Sequence, residues 1–169
     1  MLGIDPLLDS LIDVMIKKAL ALTFFLVSCL SVMAQDTSTR QKHFNLKKGL
    51  AIQGYDPVSY HHGGPKKGNS KITTQRNGVT YRFASEGNKK KFLADPAKYE
   101  PAYGGWCAFA MIDGKKVKIN PKTYKIIDGK TYLFYDGILG NTLKKWNAEK
   151  NDKGQVTKAG SKWTGLVGG

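Results

Sequence analysis

Apolar and polar residues alternate in one short stretch of the chain, and this alternation predicts a strand with one buried face. The apolar positions of that stretch are Val79, Tyr81 and Phe83. The preceding Asn77 and Gly78 favour a type I′ turn, because both residue types tolerate a positive φ. The pattern therefore predicts a β-hairpin formed by residues 71–75 and 79–83.

The residues that follow this strand predict a helix over residues 86–94. Ser85 precedes it in the position of an N-cap, where a side-chain oxygen can accept a hydrogen bond from a free backbone N–H. Phe92 and Leu93 supply apolar contacts for the helix, and Pro96 ends it. A strand that runs directly into a capped helix is thus expected in the middle of the chain.

A second hairpin and a second helix are predicted towards the C-terminus. Residues 124–127 and 131–135 are rich in β-formers and flank Asp128 and Gly129, another type I′ turn signal. Residues 138–149 have apolar positions near helical spacing and predict an amphipathic helix. The fold class predicted is α+β, with a small antiparallel sheet built from the two β-hairpins and helices packed on one side.

The N-terminal region has the layout of a secretory signal peptide. Lys17 and Lys18 precede an uncharged, mostly apolar run over residues 19–34, which is too short for a comfortable membrane span. The predicted organisation is a signal peptide at 1–34 (with 1–14 as an upstream mis-start before Met15), a tether at 35–48, a folded domain at 49–150 and a flexible tail at 151–169. We expect an exported protein that is periplasmic or secreted.

Cys29 gives an alternative form of export. Residues 26–29 read Leu-Val-Ser-Cys, which resembles the lipobox of bacterial lipoproteins. Lipid on Cys29 would anchor the protein to a membrane, and this is the one route by which we expect a membrane partner. The residues after Cys29 do not form a polar tether, so ordinary cleavage after Ala34 is favoured.

The net charge of +14 is spread over the chain and is not concentrated in one segment. Lysines occur mostly in predicted loops and on helix faces, and this favours solubility and attraction to anionic surfaces of the cell envelope. Arginine is scarce, and clustered basic residues with exposed aromatic residues are not evident. No nucleic-acid partner is expected.

Two sequence blocks resemble the YHS domain, in its secreted bacterial branch. Residues 54–60 read G-Y-D-P-V-S-Y, and residues 81–99 read Y-R-F-A-S-E-G-N-K-K-K-F-L-A-D-P-A-K-Y. The resemblance implies a small α+β module of a family associated with heavy-metal transport ATPases, some oxygenase systems and many secreted bacterial proteins. In metal-binding members, cysteines occupy three positions, which correspond here to Ser59, Ala84 and Asn88. None of these residues supplies a thiolate, so metal binding by that route is not carried over.

Cys107 is the candidate that remains for soft-metal or thiol chemistry. Residues 99–107 resemble a Tyr-Gly-Gly-x-Cys segment of the secreted branch, and the adjacent glycines permit a tight turn. Together with Cys107, the tentative metal ligands are His61, His62 and Met111. Copper, zinc and iron are the metals considered. The alternative is a buried, inert Cys107 and two solvent-exposed loop histidines.

A pocket walled by aromatic residues is expected beside these ligands. Its predicted residues are Tyr55, Asp56, Tyr60, Tyr103, Gly104, Gly105 and Trp106. Asp56 and Ser59 are also expected to cap the turn at Pro57, because such side chains commonly bond to the backbone of their own turn.

No arrangement of nucleophile, base and orienting group is evident in the sequence, so we expect a non-enzymatic protein. The first hypothesis is an exported binding protein of the YHS type that binds a transition metal through Cys107 and a loop histidine. One alternative is an envelope interaction or structural module with a degenerate metal site and an envelope protein as partner. A further alternative is a redox or small-molecule-binding protein that depends on the Cys107 thiol.

Overall fold

The first hairpin belongs to a sheet of four strands. These strands are β1 (Leu46–Lys47), β2 (Leu50–Ala51), β3 (Asn69–Arg76) and β4 (Val79–Phe83), in the order β1-β2-β4-β3. β3 and β4 are antiparallel, and their turn has Asn77 and Gly78 at φ values of 44° and 75°, which confirms the predicted hairpin. The sheet is mixed because β2 pairs with β4 in parallel.

The structure is a computed structural model that describes residues 15–18 and 36–168. The chain divides into two units, Met1–Thr37 and Ser38–Gly169. Within the first unit, residues 15–18 are helical. The rest of the expected signal peptide, the mis-start and Cys29 lie outside the described residues. No helix among the described residues is long and apolar enough to cross a membrane.

The helix predicted after the first hairpin is confirmed, and a second short helix follows it. α1 (Glu86–Ala94) begins after Ser85, whose hydroxyl oxygen accepts a hydrogen bond from the Asn88 N–H at 3.1 Å. Phe92 is fully buried against Tyr81 and Phe83. Leu93 is 53% exposed and does not anchor the helix. α2 (Pro96–Tyr99) starts at the proline that ends α1.

The second hairpin forms a separate sheet. A short 3-10 turn (Ala102–Gly105) and α3 (Ala108–Met111) lead into β5 (Asn120–Ile127) and β6 (Lys130–Phe134), which form a two-stranded sheet. Leu133 of β6 also forms an isolated bridge with Cys107. Asp128, at a φ of 49°, and Gly129 make the predicted turn. The fold class α+β is confirmed, but the expectation of one antiparallel sheet from both hairpins is wrong.

The helix expected over residues 138–149 begins later than its apolar pattern suggests. β7 (Asp136–Gly137) and β8 (Gly140–Asn141) form a small hairpin, and α4 (Thr142–Ala148) starts only after it. Ile138 and Leu139 lie at the tip of that hairpin and are 102% and 82% exposed. Trp146 is fully buried, so the face of α4 that carries Trp146 packs against the core.

The expected flexible tail is a helix. α5 (Asp152–Val167) begins after Asn151, whose side-chain oxygen accepts a hydrogen bond from the Gly154 N–H. Gln155 and Ala159 are buried, and the indole N–H of Trp146 donates to the Asp152 carboxylate at 2.6 Å. Tertiary contacts therefore hold a segment whose glycine- and lysine-rich composition suggests disorder.

The expected tether also packs on the domain. Residues 38–43 are helical, and the guanidinium of Arg40 forms an ion pair with Glu100 at 2.5 Å. Tyr81 donates its hydroxyl hydrogen to the same carboxylate at 2.9 Å. Burial and the Glu100 carboxylate raise the pKa of Tyr81 well above its ordinary value, so its hydroxyl remains a donor.

Candidate functional site

Asp56 is a fully buried residue whose carboxylate connects three segments of the chain. One oxygen, Oδ1, accepts the backbone N–H of Val58 at 2.8 Å and that of Ser59 at 3.3 Å. The other, Oδ2, accepts the backbone N–H of Ala84 at 2.8 Å and the side-chain amide of Asn88 at 2.7 Å. Because both oxygens have two donors, this buried polar group is well satisfied. We call this arrangement the Asp56 network.

Ser59 adds two further bonds to the same region. Its hydroxyl donates to the backbone oxygen of Asp56 at 2.7 Å and accepts the N–H of Lys66 at 2.9 Å. The expectation that Asp56 and Ser59 cap their own turn is thus confirmed. The turn is in addition joined to the end of β4 and to α1, which the sequence does not indicate.

Cys107 is fully buried in the core that surrounds β4 and α1. Its sulfur lies 3.3 Å from the Thr142 hydroxyl and accepts the N–H of Tyr135 at 3.4 Å. Met111 is also fully buried, but it belongs to a second core around β6, α4 and α5. The polar neighbours of the thiol are therefore a hydroxyl and a backbone amide.

His61 lies against different residues from those that contact Cys107. Its Nε2 is 3.1 Å from the Thr131 hydroxyl, and its ring packs edge-on against Tyr99 with a centroid distance of 5.2 Å. Burial lowers the pKa of His61, and the nearby positive charge of Lys98 lowers it further. His62, the next residue, is exposed.

The tentative metal ligands are not assembled into a site. Across residues 15–18 and 36–168, the structure contains no group of three or more His, Cys, Asp or Glu side chains placed to hold a metal ion. The bonds of Cys107 and His61 are made to Thr142, Tyr135 and Thr131. The donors present thus do not fit a soft or borderline cation.

Other residues of the chain pack against the turn at Gly104 and Gly105, which was expected to border a pocket. A Cβ on Gly104 would lie 2.7 Å from the ring of Phe44, so the close approach requires glycine. Asn45 donates its backbone N–H to the oxygen of Gly104 at 2.9 Å and its side-chain amide to that of Gly105 at 3.0 Å. The segment before β1 therefore covers this turn.

The aromatic residues expected around the pocket are also engaged within the protein. Trp106 donates its indole N–H to the backbone oxygen of His43 at 2.7 Å. The hydroxyl groups of Tyr60 and Tyr103 donate to the backbone oxygens of Pro121 and Val156. Tyr55, which is half-buried, packs against the first core as Tyr60 does, whereas Tyr103 belongs to the second. The aromatic residues of the predicted pocket are thus divided between the two cores, with Trp106 packed against the second.

The structure has an open cleft away from the predicted pocket, and nothing in the sequence predicts it. Its volume is about 510 Å³, and its lining residues are Asn45, Leu46, Lys47, Gln53, Lys67 and Lys118. The three lysines are separated by 20 or more residues in the sequence. No short motif could have revealed that they meet.

The family model of the YHS domain matches residues 59–103. This segment of the chain is a YHS domain. A search of curated proteins and a search of solved structures found no match. Ser59, Ala84 and Asn88 lie inside the matched segment, whereas Asp56 and Cys107 lie outside it.

The structure shows what the three family positions do in this YHS domain. Ser59 and Ala84 donate backbone N–H groups to the Asp56 carboxylate, and Asn88 donates its side-chain amide to it. The positions at which metal-binding members carry cysteines therefore converge here on one carboxylate. Ala84 has no ligating side chain, and the other two side chains are engaged in hydrogen bonds, so these residues do not fit a thiolate metal site.

Proposed function

We propose that this protein is an exported, non-enzymatic binding module whose YHS domain contains the Asp56 network in place of a cysteine metal site. The observation that carries the proposal is the convergence of Ser59, Ala84 and Asn88 on the Asp56 carboxylate. The scaffold of the family is retained, and the chemistry at its three key positions differs.

The hydrogen bonds of Asp56 support this proposal energetically. A cation that bound the carboxylate would have to displace N–H donors that are already paired with it. Each displaced buried donor would cost about 1–3 kcal/mol if left without a partner. The network is therefore better suited to holding the turn, β4 and α1 together than to binding an ion.

The surroundings of Cys107 favour an inert residue over a metal ligand or nucleophile. A reactive thiol needs an adjacent base or a positive charge that stabilises the thiolate. The Cys107 sulfur instead contacts the Thr142 hydroxyl and the Tyr135 amide, in a fully buried position. This supports the absence of thiol-dependent catalysis and of metal binding through Cys107.

Export is proposed from the sequence of residues 1–34, with the mature chain starting at Gln35. Mass spectrometry of the N-terminal peptide of the protein recovered from the cells tests this directly. A chain that begins at Gln35 supports cleavage, and lipid on Cys29 supports the anchored form. A cytoplasmic chain that retains residues 15–34 would contradict export.

Metal titration tests the proposed loss of the metal site. The full chain with Cys29→Ser, which leaves Cys107 as the only thiol, is titrated with copper(I), zinc and iron(II) in competition with chelators. We expect no tight stoichiometric site in this protein or after a further Cys107→Ser change. His43→Gln is the matched control for weak binding by a histidine outside the candidate set. A tight 1:1 site that is lost only in the Cys107→Ser variant would contradict the proposal.

A further inference from the structure

Three lysines from separate parts of the chain surround the open cleft. Lys47 lies in β1, Lys67 comes two residues before β3, and Lys118 comes two residues before β5. All three are exposed. A cleft of about 510 Å³ lies within the range that is usual for small-molecule sites.

The charge of this cleft is not neutralised by the residues around it. None of its lining residues is acidic. Within residues 15–18 and 36–168, Lys47, Lys67 and Lys118 form no ion pair, whereas Arg40, Arg76, Lys115 and Lys125 are among the basic residues that do. Three lysines that line one cleft without an acidic residue give it a local positive potential, which attracts anions.

Lys116 is a further lysine close in sequence to the cleft, but it is not among the lining residues. Lys116 lies two residues from Lys118, and its ammonium group is 3.1 Å from Nδ1 of His43. Burial and the charge of Lys42 lower the pKa of Lys116. Asn45, which lines the cleft, lies two residues from His43. A lowered pKa makes Lys116 easier to deprotonate, so the positive charge of the cleft rests on Lys47, Lys67 and Lys118 and not on Lys116.

Backbone contacts hold the lysine-bearing segments together. Ile52 and Gln53 have φ values of 50° and 53°, a left-handed conformation that is strained for residues other than glycine. In this conformation the side-chain amide of Gln53 donates to the backbone oxygen of Ile119 at 3.0 Å, directly beside Lys118. Tyr55 pairs with Lys67 through a backbone bridge. The strained turn therefore fixes two sides of the cleft relative to each other.

We propose that this cleft binds a small, multiply charged phosphate oxyanion. The inference rests on the proposed function and deepens it, because it names the ligand class of the binding module. Lysine ammonium groups are compact point charges that suit phosphate, whereas planar carboxylates are recognised best by the fork of arginine, which is absent from the lining. The lining also lacks aromatic residues on which nucleic-acid bases could stack.

Calorimetric titration of the full chain with tripolyphosphate at fixed ionic strength tests the proposal. Lys67→Gln and Lys118→Gln are each expected to weaken binding about three- to tenfold, since each removes one charge-assisted contact. Lys90→Gln is the matched control, because it removes the same charge from an exposed position on α1. It should change the affinity less than twofold. Citrate, which carries carboxylates, should bind more weakly than tripolyphosphate.

The phosphate could be free or part of a lipid headgroup, and vesicles distinguish these sources. Binding to phosphatidic acid vesicles, whose headgroup is a phosphate monoester, but not to phosphatidylglycerol or phosphatidylcholine vesicles, with competition by tripolyphosphate, supports a lipid phosphate. Binding of tripolyphosphate without vesicle binding supports a free phosphate.

Three results would overturn the proposal. They are the absence of tripolyphosphate binding, an equal loss of affinity in Lys90→Gln and the cleft variants, and binding of citrate as tight as that of tripolyphosphate. Circular dichroism of each variant shows whether it is folded. The metal titration does not involve these lysines, so failure here is distinguishable from failure of the proposed function.

Discussion

The side-chain amide of Asn88 donates a hydrogen bond of 2.7 Å to the buried carboxylate of Asp56, 32 residues earlier in the chain. This bond joins α1 to the turn that precedes the matched YHS segment. Asn88 occupies one of the three family cysteine positions, and its partner is a single carboxylate, which cannot replace a cluster of thiolates. Stability of the domain, and not metal chemistry, is the expected consequence.

The first prediction concerns the strength of the Asp56 network. In Asp56→Asn, an NH₂ group replaces one acceptor oxygen and faces donors that were paired with it. We expect the free energy of unfolding to fall by about 3 kcal/mol or more, because hydrogen bonds to a buried charged group are among the stronger ones. Urea unfolding measures the change. Lys90→Ala, on the exposed face of α1, should change stability by about 0.5 kcal/mol at most, and an equally small effect of Asp56→Asn would contradict the prediction.

The second prediction concerns the turn that packs against Phe44. Gly104 has a φ of 58°, and an added Cβ would lie 2.7 Å from the Phe44 ring. Gly104→Ala should destabilise the protein by about 2 kcal/mol or more, since backbone strain and a steric clash add together. Gly63→Ala is the matched control, because its φ is 86° but no atom lies within 4 Å of the new Cβ. Thermal unfolding should show a larger loss for Gly104→Ala, and equal losses would argue against the contact with Phe44.

The third prediction concerns the reactivity of Cys107. Its thiol is fully buried, so a thiol reagent should react with it only when the domain opens. In a Cys29→Ser background, labelling with Ellman's reagent should be slow in buffer and complete in denaturant. Stoichiometric labelling of the native protein within seconds would show instead that the thiol is accessible and reactive.

The fourth prediction concerns the pH dependence caused by His61. Burial and the charge of Lys98 lower its pKa below the ordinary value of 6.5. Between that lowered value and 6.5 the unfolded state binds more protons, so the contribution of His61 to stability is present above pH 6.5 and is lost as the pH falls below it. NMR titration of the His61 ring should give a midpoint below 6.5. The decrease in melting temperature on acidification should be smaller in His61→Gln, and a midpoint above 6.5 would contradict the prediction.

The local elements of this fold could be predicted because short-range chemistry determines them. The Asn77–Gly78 turn and the Ser85 cap act within a few residues, and both are found where the pattern indicates. The prediction of a helix from residue 138 is wrong, because the apolar spacing of Ile138 and Leu139 does not show that anything covers them, and both lie at an exposed hairpin tip. Helical periodicity alone does not reveal the β7–β8 turn.

The remaining features depend on contacts between distant parts of the chain. α5 is stabilised by the buried Ala159 and by the bond between Trp146 and Asp152, and neither follows from its composition. The cleft depends on a bond between Gln53 and Ile119, which are 66 residues apart. Likewise, the sequence identifies which cysteines are missing but not that the three positions converge on the Asp56 carboxylate.

We propose that the family cysteine positions, which converge here on the Asp56 carboxylate, hold no metal ion. This proposal is tested most directly by zinc titration of the full chain with Cys29→Ser, before and after adding Ser59→Cys, Ala84→Cys and Asn88→Cys together. We predict no tight site in the parent and one zinc ion per chain in the folded triple variant, because thiolates at converging positions suit this ion. A tight site already present in the parent, or none in a folded triple variant, would contradict the account.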